Sequence, residues 1–307
     1  MQLIRGRRHL RESLRGCVVT IGGYDGIHVG HQALLGRLKE HGRRLSRQTL
    51  MLTFEPLPRE HFATAVPPAR LTSFRERWRL IGTLGIDAMW LLRFCAIRDT
   101  PGELFAQMLA AELSTPVVVV GHDFRFGRRG DATAFELKTF GERLGFAVDV
   151  VSPVLIDGER VSSTAIRDAL SAGKLRVAER WLGRPYSMRG RVVRGRRLGH
   201  ELGYPTANLR LDRRRSPLTG IFAVRVRGVG PDALPGVASL GTRPTVDGVE
   251  PLLETHIFDY SGDLYGREIE VEFVEKLREE ARFDSLEALI AQMDRDAAAA
   301  RSVLGIG

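Results

Sequence analysis

The sequence has 307 residues, and its 46 Lys and Arg against 37 Asp and Glu give a formal net charge of +9 at pH 7. This length allows two domains with separate cores, and the scattered basic residues do not form the tail or stripe that predicts nucleic-acid binding. Two distant cysteines, Cys17 and Cys95, favour a reducing compartment over a disulfide framework. The sequence has no signal-like start and no apolar run of about 18 residues, so we expect a cytoplasmic protein without a membrane partner.

The first half of the chain alternates strand-like and helix-like segments. Apolar runs typical of buried strands lie at 18–22, 49–54, 88–92, 117–121 and 147–151. Capping boxes at Ser73 with Glu76 and at Thr100 with Glu103 are predicted to open two of the helices between them. Two short helices, near 164–171 and 175–182, close the pattern. This alternation predicts a parallel α/β sheet covered by helices on both faces, with ligands at the carboxyl ends of the strands.

The composition changes near residue 184, where glycine and proline become frequent. Short strand-like pieces follow, without a helical pattern between them, at 189–194, 221–227, 236–240, 252–258 and 268–273. They predict a small antiparallel barrel. A last helix is predicted from Asp284, with Glu287 as its capping partner, to about Ala300. The chain is therefore divided into domains at 1–183 and 184–307, without a long linker.

A glycine-rich turn of sequence Asp-Gly-Ile-His-Val-Gly-His, at 25–31, joins the first predicted strand to an amphipathic helix. Backbone N–H groups and the positive end of a helix dipole make such a turn a site for phosphate. His28 and His31, three apart on one helix face, can donate to the same phosphate oxygens. A surface histidine pair or an adventitious metal site is the alternative, although neither cysteine lies at a zinc-like spacing. The turn resembles the signature of nucleotidylyltransferases, which transfer AMP or CMP to a phosphate or similar acceptor.

Three further segments of the first domain carry polar groups at places where ligands bind. The segment 53–56 ends the second strand, and 121–128 ends the fourth with two phenylalanines and several arginines. The segment 162–167 places hydroxyls and Arg167 at a helix N-terminus. Taken singly, the Ser-Ser-Thr run predicts plain helix capping. Phe124 and Phe126 are equally consistent with packing in the core and with contact to a flat aromatic ligand.

In the predicted barrel, Gly-Tyr-Pro-Thr-Ala-Asn at 203–208 is the most informative segment. The Thr206 hydroxyl and the Asn208 carbonyl are hard oxygen ligands of the kind that Mg²⁺ prefers. Glycines at 195, 199 and 203 suit a flap whose backbone covers phosphates. A turn followed by an edge strand is the alternative reading of this segment. Glu254, on a predicted strand, would by itself be read as a solvated residue.

Together these segments resemble the bacterial family of bifunctional riboflavin kinase/FAD synthetases. The resemblance implies a Rossmann-like α/β nucleotidylyltransferase domain at 1–183, followed by a small antiparallel β-barrel riboflavin kinase domain with a C-terminal helix at 184–307. It implies that riboflavin and ATP give FMN and ADP, and that FMN and ATP then give FAD and pyrophosphate, with Mg²⁺ as the metal. The chain departs from the family pattern at Tyr24, Leu57, Ala165, Phe222 and Ser239.

The resemblance also implies roles for individual residues. In the adenylyltransferase it assigns catalysis to His28, His31 and Arg167. It assigns ATP binding there to Gly23, Asp25, Gly30, Ser163 and Thr164. It assigns flavin binding there to Asp123, Phe124 and Phe126. In the kinase it makes Glu254 the general base and assigns ATP binding to Gly195, Gly203 and Thr206. Flavin binding in the kinase is assigned to Arg278 and Phe283, and the metal to Thr206 and Asn208.

Three alternative functions were compared with the features of the sequence. Another transferase with the same histidine turn, acting on pantetheine phosphate or nicotinamide mononucleotide, does not explain the Pro-Thr-Ala-Asn segment. An RNA-binding protein built on a small barrel needs an aromatic stacking platform, for which the barrel offers only Tyr204, Phe222, Phe258 and Tyr260. A chain with one inactive half is disfavoured by the motif residues present in both halves. No feature of the sequence predicts an oligomeric state.

Overall fold

The computed structural model describes residues 1–10, 12–63, 66–195, 203–245 and 248–306, with the backbone alone at 243–245 and 248–249. The chain folds into two compact units. The first unit contains Met1–Pro68 and Arg77–Ser162, and the second contains Ala69–Glu76 and Ser163–Gly307.

The first unit is built on a six-stranded parallel sheet. Its described strands are β1 Gln2–Arg5, β2 Val18–Ile21, β3 Thr49–Glu55, β4 Ala88–Arg93, β5 Val117–Gly121, β6 Arg125–Phe126, β7 Ala132–Thr133, β8 Ala147–Val151, β9 Leu155–Ile156 and β10 Glu159–Arg160. The sheet order is β1-β4-β3-β2-β5-β8, while β6 with β7 and β9 with β10 form two-stranded ribbons. The helices of this part of the sequence are α1 Val29–Leu45, α2 Pro58–His61, α3 Phe74–Thr83, α4 Gly102–Met108 and α5 Ala134–Leu144.

The predicted parallel sheet is confirmed, and the five predicted strands are all present in it. Each of β2, β3, β4 and β5 is an almost continuous run of buried residues, which is the pattern of strands covered on both faces. The sequence missed β1, which pairs with β4 at one edge of the sheet. Only one of its four residues is buried, so its pattern carries too little signal.

One of the two predicted capping boxes is confirmed. At the start of α3 the Ser73 N–H donates to Glu76 Oε2 (2.6 Å), and the Glu76 N–H donates to Ser73 Oγ (3.3 Å). The box at Thr100 is wrong, because α4 begins at Gly102 and its N-cap is Pro101, which has no side-chain acceptor. Thr100 therefore lies one residue outside the cap, and Glu103 instead accepts from Arg143 Nη2 at 2.7 Å.

The second unit contains a closed antiparallel barrel of six strands in the order β11-β12-β15-β14-β13-β16. Its strands are β11 Ser187–Val193, β12 Ala207–Leu211, β13 Gly220–Arg227, β14 Leu234–Thr245, β15 Gly248–Ile257 and β16 Glu268–Arg278. Its helices are α6 Ser163–Ser171, α7 Leu175–Leu182 and a C-terminal helix, α8 Leu286–Leu304. The predicted barrel is confirmed, and β12, which the sequence offered only as an edge strand in the alternative reading of 203–208, lies between β11 and β15.

The C-terminal helix α8 lies against the barrel. Ala300 and Leu304 join a buried cluster with Ala223 and Phe258 of the barrel unit. The N-cap is Ser285, whose hydroxyl accepts from the Ala288 N–H at 3.2 Å, so the helix begins after Ser285 rather than at Asp284. Across the described ranges of the chain, none of the helices combines the length and apolar character needed to cross a membrane.

Candidate active sites

The turn between β2 and α1 is held in an unusual backbone conformation. Tyr24 (φ 51°) and Ile27 (φ 46°) are both left-handed although neither is glycine, which costs roughly 1–2 kcal/mol per residue. Both side chains are almost completely buried, and the Tyr24 hydroxyl shares a short hydrogen bond with the Thr20 hydroxyl. The core therefore fixes the turn in a shape that the local sequence alone does not favour.

The two predicted histidines meet at the start of α1. His28 is the N-cap, and its Nδ1 accepts from the backbone N–H of His31 at 3.3 Å. The imidazole rings are stacked with centroids 3.7 Å apart, and the Tyr24 ring lies 5.0 Å from that of His31.

The surroundings of His31 favour its neutral form. Burial lowers its pKa well below the ordinary value, and the nearby charges of His28 and Arg77 lower it further. Its Nδ1 is buried and has no hydrogen-bond partner among the residues that the structure describes. Buried polar atoms are nearly always satisfied in folded proteins, so this atom indicates a ligand-binding or catalytic position.

The other phosphate-binding residues predicted in this turn are held by different contacts. A Cβ on Gly30 would lie 3.1 Å from the His28 ring, so glycine permits the close approach of the helix backbone. Asp25 is buried. The Gly23 carbonyl accepts from Arg77 Nη1 at 2.9 Å, a contact that the sequence did not reveal.

The residues predicted to bind the flavin in this unit differ in environment. Asp123 is exposed at the surface and pairs with Arg160. Phe126 is buried in the main core against Phe105, with ring centroids 5.7 Å apart. Phe124 is half-buried and stacks on Phe126 at 5.3 Å. Phe126 thus supports Phe124 from the core side, so that Phe124 and Asp123 are the more accessible of the three.

Ser163, Thr164 and Arg167 belong to the second unit, on the first turns of α6. Thr164 is exposed, whereas Ser163 and Arg167 are half-buried. Arg167 Nε donates to the Ala69 carbonyl at 2.6 Å. This bond fixes the guanidinium at the start of the helix, where N–H groups and the helix dipole favour an anion.

The barrel places two predicted residues directly opposite each other. Asn208 on β12 pairs in register with Glu254 on β15. Their strand neighbours Leu209 and Leu253 are buried in the core, so Asn208 and Glu254 point to the opposite face of the sheet. Side chains paired in this way have Cβ atoms about 5 Å apart. An amide and a carboxylate are therefore presented together on one face.

The backbone before β12 crosses close to this pair. A Cβ on Gly195 would lie 2.5 Å from Nδ2 of Asn208, so the chain passes directly over the amide. Thr206 lies half-buried just before β12, and the preceding Pro205 carbonyl accepts from Nδ1 of His256 at 2.9 Å. Gly203 is left-handed (φ 83°). The predicted flap glycine Gly199 lies outside the described residues.

Arg278 and Phe283 also meet, with the guanidinium 5.8 Å from the ring centroid. Arg278 Nε and Nη2 donate to the two carboxylate oxygens of Asp296 at 2.8 and 2.6 Å. Asp296 is nearly buried on α8 and accepts another bond, from Gln292 Nε2 at 2.8 Å. The sequence missed Asp296, because only the fold brings α8 to the end of β16.

The donor set of the barrel suits Mg²⁺. The described residues hold no cluster of three or more His, Cys, Asp or Glu side chains that could bind a metal ion by themselves. Thr206 and Asn208 instead offer a hydroxyl and an amide oxygen, with Glu254 opposite Asn208. Mg²⁺ in phosphate-transfer sites takes one or two protein oxygens together with substrate phosphates and water, and these residues fit that pattern.

Two family models match the chain. FAD synthetase matches residues 10–165, and riboflavin kinase matches residues 182–304. Among curated proteins, the bifunctional riboflavin kinase/FMN adenylyltransferase of Escherichia coli K12 is 43% identical, over 100% of this chain and 99% of its own length. The protein of the same name from Pseudomonas fluorescens is 45% identical over 99% and 98%. That from Haemophilus influenzae is 38% identical over 98% and 99%.

Among solved structures, a protein from Streptococcus pneumoniae described as a macrolide-efflux protein is similar along almost its whole length. The TM-score is 0.84 at 30% identity, and the match covers 98% of this chain and 99% of that one. The similarity therefore includes both the sheet unit and the barrel unit.

Proposed function

The chain belongs to the family of bifunctional riboflavin kinase/FMN adenylyltransferases, and on that premise we propose how its residues divide the two reactions. The enzyme phosphorylates riboflavin with ATP to give FMN, and adenylylates FMN with a second ATP to give FAD. We assign FMN adenylylation to residues 1–183 and riboflavin phosphorylation to residues 184–307.

In adenylylation, a phosphate oxygen of FMN attacks the α-phosphorus of ATP. The bond from that phosphorus to the bridging oxygen breaks, and pyrophosphate leaves with the electron pair. No covalent enzyme intermediate is needed, so the protein contributes positioning and charge stabilisation. His28 and His31 bind the phosphates together with the N–H groups of the turn. The stacked imidazoles at the start of α1, with a buried Nδ1 on His31 that no described residue satisfies, carry this assignment.

The leaving pyrophosphate needs positive charge and hydrogen-bond donors. Ser163, Thr164 and Arg167 are proposed to supply them from the first turns of α6. Asp123 and Phe124 are proposed to contact the flavin. Phe126 packs in the core, and its contribution is to support the Phe124 ring.

In phosphorylation, the 5′-hydroxyl of riboflavin attacks the γ-phosphorus of ATP, and ADP leaves. Glu254 takes the hydroxyl proton as general base. Thr206 and Asn208 would hold Mg²⁺, which when bound neutralises phosphate charge. Gly195 and Gly203 let the backbone approach the phosphates, and Arg278 with Phe283 contacts the flavin ring. The register pairing of Asn208 with Glu254 carries this assignment, because it places the metal ligand beside the base.

Two variants test the division of the reactions. Chromatography of the flavins over time, with riboflavin, ATP and Mg²⁺, should show that His28→Ala makes FMN but no FAD. Glu254→Gln should make no FMN from riboflavin, yet convert added FMN to FAD. A folded variant that lost both reactions would contradict the two-site assignment. We also propose that the enzyme acts in the cytoplasm on these small molecules alone, since both reactions consume ATP.

A further inference from the structure

We propose that Arg77 is a positioning residue for FMN adenylylation, whose guanidinium holds the peptide between Gly23 and Tyr24 in the orientation that binds phosphate. The inference rests on the proposed function, in which the turn before α1 and its two histidines bind ATP. Arg77 lies on α3 and is completely buried. It is absent from the motifs that the sequence analysis identified.

The contact between Arg77 and the turn is direct. Nη1 donates to the Gly23 carbonyl oxygen at 2.9 Å. In a trans peptide the carbonyl and the following N–H point in opposite directions, so this bond turns the carbonyl toward Arg77 and the Tyr24 N–H away from it. A carbonyl oxygen facing the phosphate site would repel the anion, whereas an N–H would bind it.

The backbone angles show why this orientation needs to be held. Tyr24 is left-handed, with φ 51°. Rotating the peptide before it by about 180° would bring φ to about −130°, outside the left-handed region that is costly for a tyrosine. The positive φ therefore disfavours the held orientation, and a flip would turn the Gly23 carbonyl away from Arg77. The hydrogen bond from Arg77 opposes that flip.

The second contact of Arg77 fixes the guanidinium itself. Nη2 lies 3.2 Å from Oε2 of Glu55, the last residue of β3. Arg77 thus joins the ends of two neighbouring strands, because Gly23 follows β2 and Glu55 ends β3. A planar fork with two differently directed donors can serve both acceptors at once, which a lysine ammonium on a flexible chain does poorly.

The charge of Arg77 acts on the same site. It is one of the causes that keep the pKa of His31 low. The titratable or charged groups that contact or act on His31 include His28, stacked on it, Tyr24 at 5.0 Å and Arg77. Removing the charge should raise the pKa of His31, whereas replacing arginine with lysine should leave it nearly unchanged.

The test compares Arg77→Lys and Arg77→Met in the full-length enzyme, with FAD formation from FMN and FMN formation from riboflavin measured separately. If the turn leaves its binding orientation in part of the molecules, the apparent affinity for ATP falls in proportion to the fraction that keeps this orientation. We expect kcat/KM for ATP in adenylylation to fall about tenfold in Arg77→Lys and about 100-fold in Arg77→Met. The KM for FMN and the rate of riboflavin phosphorylation should stay within about twofold of the parent values.

The pH profile gives a readout that a merely structural role would not move. In Arg77→Met, the His31 transition, followed by NMR titration of its imidazole, should shift to higher pH, since His31 then protonates more readily, whereas Arg77→Lys should keep the parent transition. Arg143→Lys is the matched control, because Arg143 is an exposed arginine of the same unit that pairs with Glu103. It should leave both reactions unchanged.

Folded Arg77 variants with parent-like ATP dependence would overturn the proposal. So would variants in which both reactions fall together with the melting temperature, since Arg77 would then serve stability alone. His28→Ala is measured in parallel, so that a failure of the proposed function can be told apart from a failure of the role proposed for Arg77. If it still forms FAD the proposed function fails, whereas loss of FAD in His28→Ala beside normal kinetics in Arg77→Lys refutes only the role of Arg77.

Discussion

Replacing Gly195 with alanine should disable FMN formation and leave the conversion of FMN to FAD intact. The added Cβ would lie 2.5 Å from Nδ2 of Asn208 and 2.6 Å from its Cγ and Oδ1. Non-bonded heavy atoms prefer separations of about 3.5 Å, so the amide has to retreat by roughly 1 Å. Asn208 lies on a strand between two others, so its side chain moves more readily than its backbone.

The expected size of the effect follows from that displacement. Moving a positioning group by about 1 Å costs on the order of 100-fold in rate, which corresponds to about 2.7 kcal/mol of activation free energy. The loss should appear in kcat for riboflavin phosphorylation, because the amide is proposed to hold the metal on the transferred phosphate.

The assay measures initial rates of FMN formation from riboflavin and of FAD formation from added FMN on the same preparation. Gly230→Ala is the matched control, since a Cβ at that glycine would meet no atom of the described residues within 4 Å. It should leave both rates unchanged. A kinase rate within threefold of the parent in Gly195→Ala would refute the reasoning, by showing that the position of the Asn208 amide does not limit phosphoryl transfer.

Three further outcomes follow from buried groups. Arg213→Met should lower the free energy of unfolding by about 3–5 kcal/mol in urea titrations, because it leaves the buried Glu76 carboxylate without its ion pair; a change below about 1 kcal/mol would contradict this. Burial raises the pKa of Cys17 to about 12, so at pH 8 the thiol stays protonated, and iodoacetamide should alkylate exposed Cys95 and spare Cys17 in peptide mass spectra. Asp296→Asn should raise the KM for riboflavin about tenfold, by weakening the charge-assisted bonds that anchor a flavin-site guanidinium, and should leave adenylylation unchanged.

The fold could be predicted from the sequence where burial produced a regular pattern. The central strands are apolar on both faces, so each reads as a strand without tertiary information. The four residues of β1 have no such pattern and become a strand only by pairing with β4. In β12 the residues alternate, with Ala207 and Leu209 buried and Asn208 between them. This period of two indicates a strand, but the run is short and directly follows the Pro-Thr segment, so the sequence offers the strand only as an alternative.

The candidate sites could be predicted where several functional side chains lie within a few residues of one another in the sequence. The histidines of the first turn are three residues apart, and Asn208 lies two residues after Thr206. Arg77 and Asp296 act through contacts with distant segments, which spacing does not encode. One signal for Arg77 was available, because it lies four residues before the buried Ile81 and therefore on the apolar face of α3. A charged residue on such a face needs a buried partner.

A comparison of the two buried arginines Arg77 and Arg213 separates a role in stability from a role in the adenylylation site. Removing one partner of a buried ion pair is costly when the other remains buried and uncompensated. Arg213 leaves behind Glu76, whose side chain is 8% exposed, whereas Arg77 leaves behind Glu55, which is 34% exposed and can be solvated. Methionine at position 77 should therefore cost much less stability than methionine at position 213. Below its unfolding transition, Arg213→Met should keep the rates of both reactions, whereas Arg77→Met should lose adenylylation. That result would show that the charge at position 77 holds the turn in place and is not needed mainly for folding stability.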